Sequence, residues 1–197
     1  MVSEHALCGT CLIQAGRLPL SACVAAVDYA YPWDGLIARW KFGDETGWSR
    51  TWARLLWTRP QARALWQASA CVVPVPVGPA RLAERGFNQA WELIKALNRS
   101  ADGPRPATLL PQALVRLRDT PDQHTLPRAA RLRNLRGVFA PHPHHLAKLS
   151  GQHVLLVDDI STTGATLQAA AQSLIDGGAD RVSALVLART PPPEGPS

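Results

Sequence analysis

Apolar residues along this chain fall into runs of two alternating kinds. Nearly continuous runs at residues 70–77, 113–117, 154–157 and 182–188 have the length and composition of buried strands. Between them, apolar positions recur at helical spacing: Trp48, Trp52, Leu55 and Leu56; then Ala90, Leu93, Ile94 and Leu97; then Leu167, Ala170, Ala171, Leu174 and Ile175. Strands alternating with helices predict an α/β fold, a mostly parallel sheet with flanking helices on both faces. Residues 31–42 mix a turn with a short helical piece, and Pro60 ends one helix or starts another. Pro74 and Pro76 stop the second run where a loop should open, and residues 100–111, rich in Pro, Gly and Asp, read as a surface connection. Gly177-Gly178 after Asp176 is a left-handed cap signal for the last helix. No repeat of fixed period is present.

The segment of residues 154–167, VLLVDDISTTGATL, carries the most chemistry. An apolar strand stops at Asp158 and Asp159, passes through a Ser/Thr/Gly turn and enters a helix. A helix that starts at such a turn points its free N–H groups and the positive end of its dipole into the turn, where a phosphate is favoured. Ser161, Thr162, Thr163 and Thr166 add hydroxyls, and Gly164 allows turn conformations and close approach of an anion. Two carboxylates beside a phosphate would repel it, so they must face sugar hydroxyls, a Mg²⁺ ion, or both. The nucleoside-triphosphate loop Gly-x-x-x-x-Gly-Lys-Ser/Thr and the dinucleotide fingerprint Gly-x-Gly-x-x-Gly are both missing. A phosphorylated ribose fits better. The plainer alternative makes Asp158-Asp159 a solvated strand end and the turn an ordinary helix cap.

This stretch resembles the signature of type I phosphoribosyltransferases, in which the two acids hold the ribose hydroxyls of phosphoribosyl pyrophosphate (PRPP) and the turn holds its 5′-phosphate. Two further segments narrow the resemblance. The Pro-Val-Pro loop with Arg81 and Arg85-Gly86-Phe87-Asn88-Gln89, and a basic segment with Arg116, Arg118, Thr120, Gln123, Arg131, Asn134 and Phe139, are similar to the ComF family, over about residues 29–188. The resemblance implies PRPP bound by Asp158, Asp159, Ser161, Thr162, Thr163, Gly164, Ala165, Thr166, Arg81 and Arg85. It implies Mg²⁺ held with PRPP at Asp158 and Asp159, and a lid formed by the basic segment of residues 118–134. Asp158, Asp159, Arg85 and Arg118 are then the expected catalytic residues. Leaving pyrophosphate and an oxocarbenium-like ribose call for cations at the diphosphate and a lid that excludes water. Arg81 and Arg85 can supply paired donors, and Arg118 or Arg131 can close from the lid. Arg128 and Arg133 are read as surface charges.

Composition adds limits. The chain has 197 residues, 46% of them hydrophobic, enough for one domain with a proper core. Residues 1–28 are expected to be an N-terminal appendage, residues 29–190 the phosphoribosyltransferase-like domain and residues 191–197 a disordered tail. ComF relatives often carry paired Cys-x-x-Cys motifs in a zinc finger, whereas only Cys8-Gly-Thr-Cys11 stands here. A Zn²⁺ site at Cys8 and Cys11 is therefore incomplete, even counting Cys23 and His5, and either the start is truncated or the zinc is lost. Cys71 reads as a buried, inert thiol. His142, His144, His145 and His153 do not complete a zinc site. No apolar run approaches the roughly 18 residues of a membrane span, so no membrane partner and a cytoplasmic location are expected.

The formal charge of +6 favours anionic partners, phosphorylated metabolites as much as nucleic acid. Seven tryptophans interleaved with Arg39, Arg50, Arg54 and Arg59 invite a stacking platform for single-stranded DNA, but their helical spacing favours core packing. Two classes of function stay open. One is a Mg²⁺-dependent enzyme that moves the phosphoribosyl group from PRPP to an unknown acceptor. The other is a PRPP-binding or single-stranded-DNA-binding factor working with competence machinery in DNA uptake.

Overall fold

The computed structural model describes residues 19–42, 47–100, 108–118, 135 and 137–191. The chain runs β1 (Leu20–Asp28), α1 (Trp33–Phe42), α2 (Trp48–Trp57), α3 (Pro60–Ala68), β2 (Cys71–Pro74), α4 (Pro79–Arg85) and α5 (Gln89–Ser100). It continues through β3 (Thr108–Leu109), β4 (Leu114–Arg116), β5 (Phe139–Pro141), a 3₁₀ turn at Pro143–His145, α6 (Leu146–Leu149), β6 (His153–Ser161), α7 (Ala165–Asp176) and β7 (Arg181–Arg189). Five strands pair in the order β1-β7-β6-β2-β3, every pairing parallel. β4 and β5 form a separate antiparallel ribbon.

Val154, Leu155, Leu156 and Val157 of β6 are all fully buried because helices cover both faces of the sheet. Successive side chains on a strand point to opposite faces, and the core divides accordingly. Val154 and Leu156 pack with Val73, Val182 and Ala184 beneath Leu167, Ala170 and Leu174 of α7 and Leu114 and Phe139 of the ribbon. Leu155 and Val157 pack with Val72, Leu185 and Leu187 beneath α1, α2, α3 and α5. The tryptophans belong to this second core. Trp40, Trp52 and Trp66 are buried, Trp48 stacks on Trp52 at 5.5 Å between ring centroids, and Trp57 meets Trp66 edge-on at 5.6 Å. Their spacing on amphipathic helices turned them toward this core, Trp33, Trp48 and Trp91 packing against it half-buried.

Three expected boundaries move. Residues 20–28 are part of the main sheet: β1 pairs with β7 from Leu20 to Asp28, so the body of the domain begins by Leu20 rather than at residue 29. A strand with Ala25, Ala26 and Val27 buried gains more from the sheet edge than it would in a separate lobe. Thr108–Leu109, expected within a surface connection, pairs with β2 as a short edge strand. The run at residues 113–117 leaves the main sheet for the ribbon, where Arg116 lies 5.5 Å over the Phe139 ring. Cys8, Cys11, Thr120, Gln123, Arg128, Arg131, Arg133, Asn134 and residues 192–197 lie outside the described residues. Among the described residues no helix is long and apolar enough to cross a membrane.

Candidate functional site

The carboxyl end of β6 is exposed to ligands by two prolines on its neighbour. The β2–β6 register ends at Pro74 opposite Val157, and one more bond follows, from the Val75 N–H to the Val157 carbonyl at 2.8 Å. Pro76 has no N–H, so the ladder stops and β2 turns away into α4. β6 continues beside β7, with Asp158 opposite Val186 and Ser161 opposite Arg189. Asp158 and Asp159 thus emerge at the carboxyl edge of a parallel sheet, next to the start of the β2–α4 connection, at the place where open α/β sheets bind ligands.

Each acid is held by the backbone of the residue after it. Asp158 Oδ1 accepts from the Asp159 N–H at 2.9 Å, and Asp159 Oδ1 accepts from the Ile160 N–H at 2.6 Å. Asp159 Oδ2 also meets Lys41 Nζ of α1 at 2.8 Å, with both side chains largely shielded from solvent. The two acids separate electrostatically. Burial, then the Asp159 charge, push the Asp158 carboxyl well above the usual carboxylate range. Burial would raise Asp159 too, but the Lys41 ammonium and the hydrogen bonds from Lys41 and Ile160 outweigh it and hold Asp159 below its ordinary value. The two carboxyls are thus pushed apart, Asp158 toward the protonated form and Asp159 toward the ionised one.

After Ser161 the turn reaches Gly164, whose φ of 75° lies in the left-handed region that favours glycine. α7 begins at Ala165 with no side-chain cap at its N-cap position; Thr163 Oγ1 receives the Ala165 N–H only at 3.4 Å. The first-turn amides of a twelve-residue helix therefore face the turn that carries Ser161, Thr162 and Thr163, with Thr166 in the helix's first turn. Thr162 is exposed; Ser161, Thr163 and Thr166 are half-buried.

The second predicted segment is arranged differently. Asn88 Nδ2 donates to the Val75 carbonyl at 3.1 Å, while Asn88 Oδ1 accepts from the Ala90 and Trp91 amides at 2.9 and 3.3 Å. Asn88 therefore caps α5 and ties it to the strand end beside Asp158. Arg85, half-buried at the end of α4, reaches Gln89 Oε1 at 3.4 Å, and Gly86 closes α4 at φ 74°. Arg81 is exposed on the same helix. Arg118 is exposed, one residue past the Leu117 N–H to Val138 carbonyl bond that follows the Arg116–Phe139 pair of the ribbon.

The carboxylates, hydroxyls and amides of this edge are hard oxygen acceptors and N–H donors, a set that suits a Mg²⁺ ion completed by substrate oxygens, with phosphate in the turn. Among the described residues no group of three or more His, Cys, Asp or Glu side chains is placed to hold a metal, so an ion held by this acid pair would complete its coordination with other oxygens, from water or substrate. Cys71 is buried, with its thiol pushed up chiefly by burial and its Sγ 3.4 Å from the Lys148 carbonyl. Lys41, which meets Asp159 Oδ2 at 2.8 Å, is the neighbour of the acid pair that the sequence did not single out. A lysine at the end of an amphipathic helix carries no sign of its partner until the fold closes.

Residues 82–197 match the phosphoribosyl transferase domain model, a span that includes the acid pair and the whole β6–α7 turn. The chain belongs to the ComF family. It is 33% identical over 190 residues to the DNA utilization protein YhgH of Escherichia coli K12, covering 95% of this chain and 79% of that protein. It is 32% identical over 189 residues to competence protein F of Haemophilus influenzae, covering 92% and 78%. Competence protein ComFC of Bacillus subtilis is 35% identical over 120 residues, 60% of this chain and 44% of that one. For this ComF protein the family model and the sheet agree on a type I phosphoribosyltransferase-like α/β fold.

Proposed function

We propose that this ComF protein binds PRPP with Mg²⁺ at the carboxyl edge of its sheet and transfers the phosphoribosyl group to a nucleophile, releasing pyrophosphate. The observation that carries the reading is the β6–α7 turn: helix amides capped only by a 3.4 Å contact from Thr163, with hydroxyls and Gly164, directly after two acids. The turn holds the 5′-phosphate, and Asp158 and Asp159 accept from the ribose 2′- and 3′-hydroxyls. Mg²⁺ supplies charge neutralisation at the leaving diphosphate. Arg85 and Arg81, on the helix after the β2 strand end, provide cations on the diphosphate side, with Arg118 approaching from the ribbon.

The test is a screen for PRPP-dependent pyrophosphate release against nucleobases, amines and glutamine, run beside calorimetry of PRPP binding. Release with one acceptor class supports the enzyme. PRPP binding without release under any acceptor favours a sensor that keeps the pocket. The names of the relatives, DNA utilization and competence proteins, favour a second reading in which the pocket serves DNA uptake. Hydrogen exchange over residues 118–131 separates the two. Protection by Mg²⁺ with PRPP supports a lid. Protection by single-stranded DNA alone, weakening steeply with salt, supports a nucleic-acid arm.

A further inference from the structure

Asp159 has two carboxylate oxygens, and the fold engages both. Oδ1 receives the Ile160 N–H at 2.6 Å, a local bond to the next residue of β6. Oδ2 receives the Lys41 ammonium at 2.8 Å, from the last turn of a helix on a different element of the fold. The side chains keep only 18% and 14% of their exposure, so the contact is shielded and is more than a loose surface pair. A metal ion or sugar hydroxyl that approaches Asp159 meets a cation already in place. Lysine suits an exchangeable role, being a compact charge on a flexible four-carbon stem.

We infer that Lys41 is an internal counter-ion that holds the cation place of the acid pair in the ligand-free protein and leaves Asp159 when Mg²⁺ and PRPP arrive together. The inference rests on the reading of this edge as a PRPP site. Two adjacent carboxylates alone would attract a divalent cation, but with an ammonium on one of them the net charge is lower and one oxygen is blocked. Magnesium without sugar phosphate therefore gains too little to displace Lys41. PRPP changes the balance by adding phosphate oxygens to the metal's coordination and by giving the released ammonium an anionic group to meet. Metal binding is thereby made conditional on substrate.

Manganese, which shares magnesium's oxygen preference and is visible by electron paramagnetic resonance, is the probe. The wild-type protein should bind Mn²⁺ weakly alone and tightly with PRPP. Lys41→Met should bind Mn²⁺ alone at least about tenfold tighter than wild type, a change of about 1.4 kcal/mol. The gain should vanish in Lys41→Met combined with Asp159→Asn, and Lys41→Arg, which keeps a cation there, should behave as wild type. Circular dichroism establishes that each variant is folded. On the wild-type protein itself, Mg²⁺ with PRPP should raise hydrogen exchange in the last turn of α1. Equal Mn²⁺ affinity in folded Lys41→Met and wild type would overturn the inference. Should Lys41→Met not fold, unchanged or slower exchange in that turn overturns it instead. If calorimetry finds no PRPP binding, the PRPP reading fails while the Mn²⁺ comparison still decides the part played by Lys41. If PRPP binds and Mn²⁺ does not discriminate, only the Lys41 inference falls.

Discussion

Two strand–loop–helix connections leave the same edge of the sheet from neighbouring strands, and they use their polar groups in opposite ways. After β2, Asn88 spends its whole amide on the protein: one bond to Val75 and two to the first amides of α5. After β6, the N-cap Gly164 offers no side-chain cap to α7, Thr163 Oγ1 takes the Ala165 N–H only at 3.4 Å, and Ser161 and Thr162 lie in the turn just before. One connection is closed on itself and fixes geometry. The other leaves more of its donors uncommitted, as the proposed PRPP site requires. A loop that binds is recognised less by which polar residues it holds than by how many of them the fold leaves uncommitted.

The sharpest way to break this contrast is at the acids. Asp158→Asn with Asp159→Asn should abolish Mg²⁺-dependent PRPP binding by calorimetry while Tm moves only a few degrees, because both side chains sit past the last β2–β6 pair rather than in the core. A large fall in Tm with PRPP affinity intact would assign the pair to the fold.

Gly164→Val attacks the open turn next. No atom stands within contact of an added Cβ except Ser161 Oγ at 4.0 Å, so the strain is conformational: a φ of 75° disfavours a β-branched residue. Misplaced α7 amides should weaken PRPP binding by about 1–3 kcal/mol, the scale of unmade charge-assisted hydrogen bonds. Isothermal titration of PRPP checks this.

Asn88→Ala should do the reverse. Loss of the cap and of the Val75 tie is expected to cost about 1–2 kcal/mol of stability in urea denaturation. PRPP affinity should change less than in Gly164→Val. If Asn88→Ala instead abolishes binding at unchanged stability, Asn88 touches the ligand.

The smallest effect is in the pH dependence. Asp159, held below its ordinary value, stabilises the fold above its unfolded pKa of about 3.9, and that contribution fades as pH falls through its lower folded value. Asp158 is raised, so its contribution is complete below the unfolded pKa and is lost as pH rises through the higher folded value. Tm should therefore decline as pH rises from about 4 toward that raised value and level off above it, and Asp158→Asn should flatten the decline. An identical profile in the variant would mean that Asp158 does not titrate with folding in this range.

The site was legible in part because its elements are local. An apolar run, two acids, a Ser/Thr/Gly turn and a helix are contiguous, and strand direction alone sends the acids to the carboxyl edge. The tryptophans were legible for a related reason: helical spacing of large apolar side chains calls for a core, and Trp52 and Trp66 are in it. The first strand was harder. Cys23 to Val27 has strand character, but only the free edge of β7 made residues 20–28 part of the sheet. Whether the motif asparagine and arginines serve ligand or fold was likewise hidden, since Asn88 finds its partner in the Val75 carbonyl only once β2 and α5 are packed.

By itself the sequence determined the α/β alternation, the two-sided burial of β6 and the strand–acid pair–turn–helix arrangement of the candidate site, because each follows from periodicity or from groups within a few residues of one another. The tertiary structure alone decided which polar groups remain uncommitted and which charge faces the acids. Lys41 and Asp159 are remote along the chain, and an ion pair between them depends on a separation of 2.8 Å that only the packing of α1 over the sheet edge sets.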